Sequence, residues 1–193
     1  MRIHLRIVSG TLRGRKLTCT VNGAVRPTPD MVRQALFSML GDAVPDRPFV
    51  DIFAGSGAVG IEAISRGARE TVFVERDVRL ASDIDRHLEA FQIKEQGQVL
   101  RADAYRWAER WEAPAEPVNL FISPPFIDFE RRLGPLLQLL ADLQLKAAPG
   151  SVLVLQTESR FSVSKLPAPE EWEERCYGRN QLLIWAKAIK IAD

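Results

Sequence analysis

The run Asp51-Ile52-Phe53-Ala54-Gly55-Ser56-Gly57-Ala58-Val59-Gly60 constrains the fold more than any other segment of this chain. It begins as an apolar strand, breaks at its first glycine and opens a helix. A strand, glycine turn and helix in that order belong to a parallel α/β sheet, and the bare turn lets backbone approach a nucleotide-like ligand. The flanking sequence agrees. Strand-like and helix-like segments alternate from residue 49 onward, the pattern of a parallel sheet covered by helices on both faces. Strands are expected near 49–53, 71–75, 98–101, 118–122 and 151–157, with helices near 58–66, 78–91, 104–110 and 131–143. Two further runs, 171–176 and 181–188, suit an antiparallel pair turning through Tyr177-Gly178-Arg179-Asn180.

Upstream, Ile3, Leu5 and Ile7 alternate with Arg2, His4 and Arg6, the period of a half-buried strand. Ser9-Gly10 supplies a turn, and a return strand from Arg13 to Leu17 completes a hairpin. An isolated hairpin is marginal unless it packs on something. A polar stretch with Asn22-Gly23 then leads to Arg26-Pro27-Thr28-Pro29-Asp30, where Thr28 is expected to cap a helix, with Pro29 in its first turn and Asp30 at its positive end. Val32, Ala35, Leu36, Met39 and Leu40 form its expected buried stripe.

Charge separates these two regions. The whole chain of 193 residues carries 26 basic and 25 acidic groups, yet residues 1–33 hold seven basic residues against the single acid Asp30, a net of +6. The rest is acidic by five. A basic N-terminal face on an otherwise acidic chain is a plausible phosphate footprint, with Arg6, Arg13, Arg15, Lys16 and Arg33 as its contacts. Two cysteines, two histidines and no paired ligand spacing give no support to a metal site or a histidine-based triad. With no secretory or membrane-spanning run, the expected setting is the cytoplasm, without a membrane partner, and the expected state a monomer.

In an open α/β sheet, ligands bind beyond the carboxyl ends of the strands. Glu75 ends the second strand of the alternating series, where it can accept from both hydroxyls of a ribose; Asp103 follows the third and could accept from an adenine amine. Asp51, within the first, suits a cationic sulfonium or ammonium group. The glycine pattern alone also satisfies the dinucleotide fingerprint, so an NAD-dependent oxidoreductase is one alternative. Ser123-Pro124-Pro125-Phe126 points elsewhere. A rigid turn of this kind can aim a backbone carbonyl and a side-chain acceptor at an exocyclic amine while Phe126 stacks on the base, which is chemistry for methyl transfer rather than hydride transfer.

The motifs Arg13-Gly14-Arg15-Lys16, Arg26-Pro27-Thr28-Pro29-Asp30, Asp51 to Gly60, Glu62-Ala63-Ile64-Ser65-Arg66-Gly67-Ala68, Val74-Glu75-Arg76-Asp77, Pro124-Pro125-Phe126 and Tyr177-Gly178 together resemble the RsmD family. These bacterial enzymes methylate N2 of a guanine in 16S ribosomal RNA using S-adenosyl-L-methionine. The resemblance implies a Rossmann-like class I methyltransferase with a seven-stranded, mostly parallel sheet over residues 29–193, and a basic hairpin extension over 1–28 that contacts the RNA of the small ribosomal subunit. Asp51, Phe53, Ala54, Gly55, Ser56, Gly57 and Glu75 are then expected at the cofactor, with Asp103 at its adenine, and Ser123, Pro124, Pro125 and Phe126 at the target base. The family motif opens with Asp or Asn where this chain has Ser123. That departure leaves a second alternative, a catalytically impaired RNA-binding homologue.

Overall fold

The computed structural model describes residues 2–20 and 27–189; Asn22-Gly23 and Arg26 lie outside the described residues. Two strands, β1 (Arg2–Arg6) and β2 (Lys16–Thr20), pair antiparallel into the N-terminal hairpin. Helix α1 (Asp30–Leu40) follows, and then the alternating series begins: β3 (Pro48–Ile52), α2 (Ala58–Ser65), β4 (Glu70–Val74), α3 (Val78–Ala90), β5 (Gly97–Leu100), α4 (Ala104–Arg110) and β6 (Asn119–Ile122). A short α5 (Asp128–Arg131), α6 (Leu133–Lys146), β7 (Val152–Glu158), β8 (Trp172–Tyr177) and β9 (Asn180–Ala186) complete it.

These last seven strands form one sheet in the order β5-β4-β3-β6-β7-β9-β8, parallel except for β9, which inserts antiparallel between β7 and β8. The order reverses between β3 and β6, and at such a switch point the loops after neighbouring strands diverge and leave a crevice. Every residue of β3 is buried, as expected of a central strand covered on both faces. Asp51 is its one charged group. On one side the sheet packs against α4 and α6 through Val50, Ile52, Leu120, Leu140 and Leu153; on the other, Phe49, Phe121 and Val154 pack against Val32, Leu36 and Phe37 of α1. Among the described residues, no helix is long and apolar enough to cross a membrane.

The hairpin is part of this packing. Ile7, Leu12 and Leu17 share one buried cluster with Ile61 and Ile64 of α2 and Ile84 and Leu88 of α3. The return strand starts at Lys16, not Arg13, because the loop is longer than a tight turn: Gly10 and Gly14 take φ of 82° and 86°, and Gly14 N donates to Ile7 O at 2.8 Å. At Gly10 a Cβ would fall 1.7 Å from Ser65 O, so the loop tip is pressed onto the end of α2. His87 of α3 is buried against the hairpin, with Nε2 2.9 Å from Thr18 O of β2.

Helix α1 also departs from expectation. Thr28 does not cap it; Pro29 occupies the cap position, with no side-chain hydrogen bond there, because the Thr28 hydroxyl is turned away to Gln156. The buried face is Val32, Arg33, Leu36, Phe37 and Leu40, with Ala35 and Met39 at its margin. Asp77 and Asp103, by contrast, cap α3 and α4 as their positions after strands suggest.

Candidate active site

The glycine turn begins inside β3's own continuation. Phe53, Gly55 and Gly57 all adopt positive φ, at 63°, 54° and 71°, so the chain coils tightly before α2 starts at Ala58. At Gly57 a Cβ would also press to 2.8 Å from Ile84 of α3. Gly60 serves packing: a Cβ there would sit 2.3 Å from the Phe73 ring, so its absence sets how closely α2 lies on β4.

Two carboxylates brace this turn from beneath. Asp51 Oδ2 accepts from Gly60 N at 2.9 Å. Glu75, at the end of β4, accepts from Gly55 N at 2.7 Å through one oxygen and from Asp77 N at 2.8 Å through the other. Complete burial of Asp51 pushes its carboxyl up to about 8, the Gly60 bond opposes that rise, and nearby Glu75 adds to it. The centre of the site thus holds a buried acid that keeps its proton more readily than an ordinary carboxyl.

Across the switch point, β6 ends at Ile122 and the chain passes into Ser123-Pro124-Pro125-Phe126. Ser123 N still donates to Ile52 O at 3.1 Å, so this turn starts beside the glycine turn. Its far side is pinned to α5 by Asp128 N donating to Pro125 O at 2.8 Å. Tyr105 of α4 then ties the turn down: its hydroxyl donates to the buried Asp128 Oδ2 at 2.6 Å, its ring meets Phe53 edge-on at 5.5 Å, and Arg132 lies 4.0 Å above it. Burial, together with the Asp128 bond, pushes the Tyr105 phenol well above its ordinary range, so it stays a donor.

A cavity of about 480 Å³ opens between the two turns. Of the residues expected at the site, Asp51, Phe53, Ala54, Gly55, Ser56, Glu75, Ser123, Pro124, Pro125 and Phe126 line it. Gly57 stands behind the wall against Ile84. Asp103 is also set back: Ala102 and Ala104 on either side reach the cavity, while Asp103 Oδ1 caps α4 at 3.1 Å from Tyr105 N and the residue borders a neighbouring open groove with Arg106, Trp107 and Trp111.

Of the expected phosphate contacts, Arg6, Arg13, Arg15 and Lys16 are exposed on the hairpin. Arg33 is not among them. It is fully buried, donating to Glu62, Asp30 and the carbonyls of Thr28 and Arg6, and cannot reach a phosphate. Among the lining residues not expected at the site from the sequence are Pro27, Thr28 and Gln156. Gln156 ends an apolar run at the carboxyl end of β7, the same signal that marked Glu75 and Ser123.

The family model described as Conserved hypothetical protein 95 matches residues 5–186, nearly the whole chain. Ribosomal RNA small subunit methyltransferase D of Haemophilus influenzae is 30% identical over 170 residues, covering 88% of this chain and 85% of that relative. The chain belongs to the RsmD family of S-adenosylmethionine-dependent rRNA methyltransferases. The solved Escherichia coli protein yhhF, 27% identical, superposes with a TM-score of 0.78 over 97% of this chain and 99% of its own. The same fold recurs in the Thermus thermophilus 16S rRNA N2 G1207 methyltransferase RsmC, solved with AdoMet and guanosine, at 21% identity and a TM-score of 0.72, over 97% of this chain and 50% of that one. The class I methyltransferase fold implied by the family resemblance is therefore present in this RsmD-family chain. The nicotinamide alternative finds no counterpart among these proteins.

Proposed function

We propose that this chain methylates the exocyclic N2 of a guanine in 16S rRNA of the small ribosomal subunit. The observation that carries the reading is that one cavity joins Asp51, the glycine turn and Glu75 to the Ser123-Pro124-Pro125-Phe126 turn. The first group fits S-adenosylmethionine. Glu75 keeps unused lone pairs for ribose hydroxyls beyond its two backbone bonds, and the buried Asp51 suits a cationic end. Bound there, the cofactor supplies an electrophilic methyl group on its sulfonium.

The remaining chemistry belongs to the chain. A guanine N2 lone pair is delocalised into its ring, so it needs orientation more than deprotonation. Ser123 Oγ and the Pro124 carbonyl accept the amine hydrogens and turn the lone pair inward, one N2 proton passes to solvent once N2 carries the methyl, and Phe126 stacks on the base. A paired guanine must leave its helix to enter. Arg6, Arg13, Arg15 and Lys16 hold the surrounding phosphates.

The test is methyl incorporation from labelled S-adenosylmethionine into small subunits lacking this modification, with nucleoside analysis of the product. N2-methylguanosine is expected. A different methylated nucleoside, or no incorporation, overturns the assignment.

A further inference from the structure

Ser123 stands where the family motif has Asp or Asn, and the two cases differ in one chemical respect. A carboxylate or amide oxygen accepts hydrogen bonds whatever its surroundings, whereas a hydroxyl both donates and accepts, and its neighbours decide which it does toward a ligand. Ile122 pairs with Leu155 across β6 and β7, which sets Ser123 beside Gln156. Gln156 is buried and lines the cavity. Its Oε1 accepts from Thr28 Oγ1 at 2.7 Å and from Ser123 Oγ at 3.4 Å, while its Nε2 donates to Asn180 Oδ1 at 3.1 Å.

Each partner removes a degree of freedom. Gln156 turns its Nε2 to Asn180 Oδ1 and its oxygen toward Ser123, and the Thr28 hydroxyl holds that oxygen in place. The Ser123 hydrogen is then directed at Gln156 Oε1 across 3.4 Å, leaving the Ser123 lone pairs for a donor in the cavity. We propose that Gln156, held by Thr28 and Asn180, is a positioning residue that turns the Ser123 hydroxyl into a hydrogen-bond acceptor for the target amine. The pair Ser123 and Gln156 thereby supplies what a single Asp or Asn supplies alone. This rests on the proposed amine methylation.

A double-mutant cycle on kcat, with small subunits as substrate and saturating S-adenosylmethionine, tests it. Gln156→Met is expected to lower kcat roughly tenfold, about the worth of one hydrogen bond, without changing cofactor affinity. In a Ser123→Ala background the same change should have no further effect on kcat. In a Ser123→Asp background, whose carboxylate accepts through either oxygen and needs no orientation, it should again have none. Asn180→Ala, which frees the Gln156 amide without altering the core, should give a smaller loss that also vanishes with Ser123→Ala, and it serves if Gln156→Met does not fold. Losses that multiply in all backgrounds, or an unchanged kcat in the single variants, overturn the inference. Wild-type methylation of another exocyclic amine with the coupling intact overturns only the guanine assignment, whereas no methyl transfer by any variant overturns both.

Discussion

Arg33 donates from Nε to Glu62 Oε2 at 3.1 Å, and both side chains are completely excluded from solvent. The same guanidinium donates to Arg6 O at 2.6 Å and Thr28 O at 2.8 Å, and Glu62 also accepts from Val8 N and Arg66. One ion pair therefore joins the hairpin, the approach to α1 and α2. Through Thr28 it also reaches Gln156 and Ser123 in the cavity. A planar five-donor group is what such a junction requires.

Arg33→Met should be costly, because it leaves Glu62 buried with a weaker partner set and two carbonyls unpaired. Breaking a buried pair from one side costs about 3–5 kcal/mol, and for a chain of this size each kcal/mol lowers Tm by about 2–4 °C. Arg33→Lys should recover little, since an ammonium cannot span the same acceptors. Thermal melts of both variants check this. A fall in Tm no larger than that of an exposed-arginine variant would show that the junction contributes little.

Arg13 and Arg15 are exposed on the hairpin loop and form none of these buried bonds. Replacing both with Ala should weaken binding to rRNA and reduce the salt dependence of log K by about 1.4–1.8, the loss of two phosphate contacts. Stability should change little, although Arg15 also lies 5.4 Å from the Phe91 ring. Cofactor affinity should stay constant. Filter binding or fluorescence titration across salt concentrations provides the measurement, and an unchanged slope would remove the hairpin from the RNA interface.

The contrast between these arginines shows where sequence reading reaches its limit. Formal charge placed Arg33 with Arg13 and Arg15 because the pattern of charges says nothing about a partner 29 residues away. The sheet was legible for the opposite reason. Its strands are apolar runs ended by Glu75, Ser123 or a glycine turn, so each signal is local. The return strand begins later than expected because Gly10 and Gly14 lengthen the loop, whose tip at Gly10 presses on α2. Thr28 was a good cap by propensity, but a buried acceptor on β7 took its hydroxyl instead. Phe126 and Glu75 could be placed at a site from their position after strands; that Thr28 and Gln156 meet there is a consequence of tertiary packing alone.

Gly60 offers a direct test of the close packing that carries the glycine turn. Gly60→Ala would place a methyl 2.3 Å from the Phe73 ring, which is itself fully buried and has nowhere to move. Overpacking of this kind costs about 1–3 kcal/mol, equivalent to a fall in Tm of about 2–12 °C. Any shift of α2 also carries away the Gly60 N–H that Asp51 accepts, so cofactor affinity should fall with it. A Gly60→Ala protein with the wild-type Tm would mean that α2 and β4 separate easily.

Asp51 gives a pH signature with a definite sign. Its carboxyl is raised from an ordinary 3.8 to about 8 by burial, so the folded chain holds this proton more tightly than the unfolded one. The stability from this group is therefore complete below about pH 4, declines as pH rises toward 8 and is gone above it. Asp51→Asn keeps an oxygen for Gly60 N and removes the titration, so its Tm should fall less than that of the wild type between pH 5 and 8.5. Cofactor binding should run the other way. A cationic ligand favours the carboxylate, so wild-type affinity for S-adenosylmethionine should climb with pH between 5.5 and 7.5, by up to about tenfold per unit. The Asn variant should bind more weakly and show little slope. Calorimetric titrations at three pH values, paired with melts of the free protein, separate the two effects; parallel pH profiles for wild type and Asp51→Asn would show that another group carries the titration.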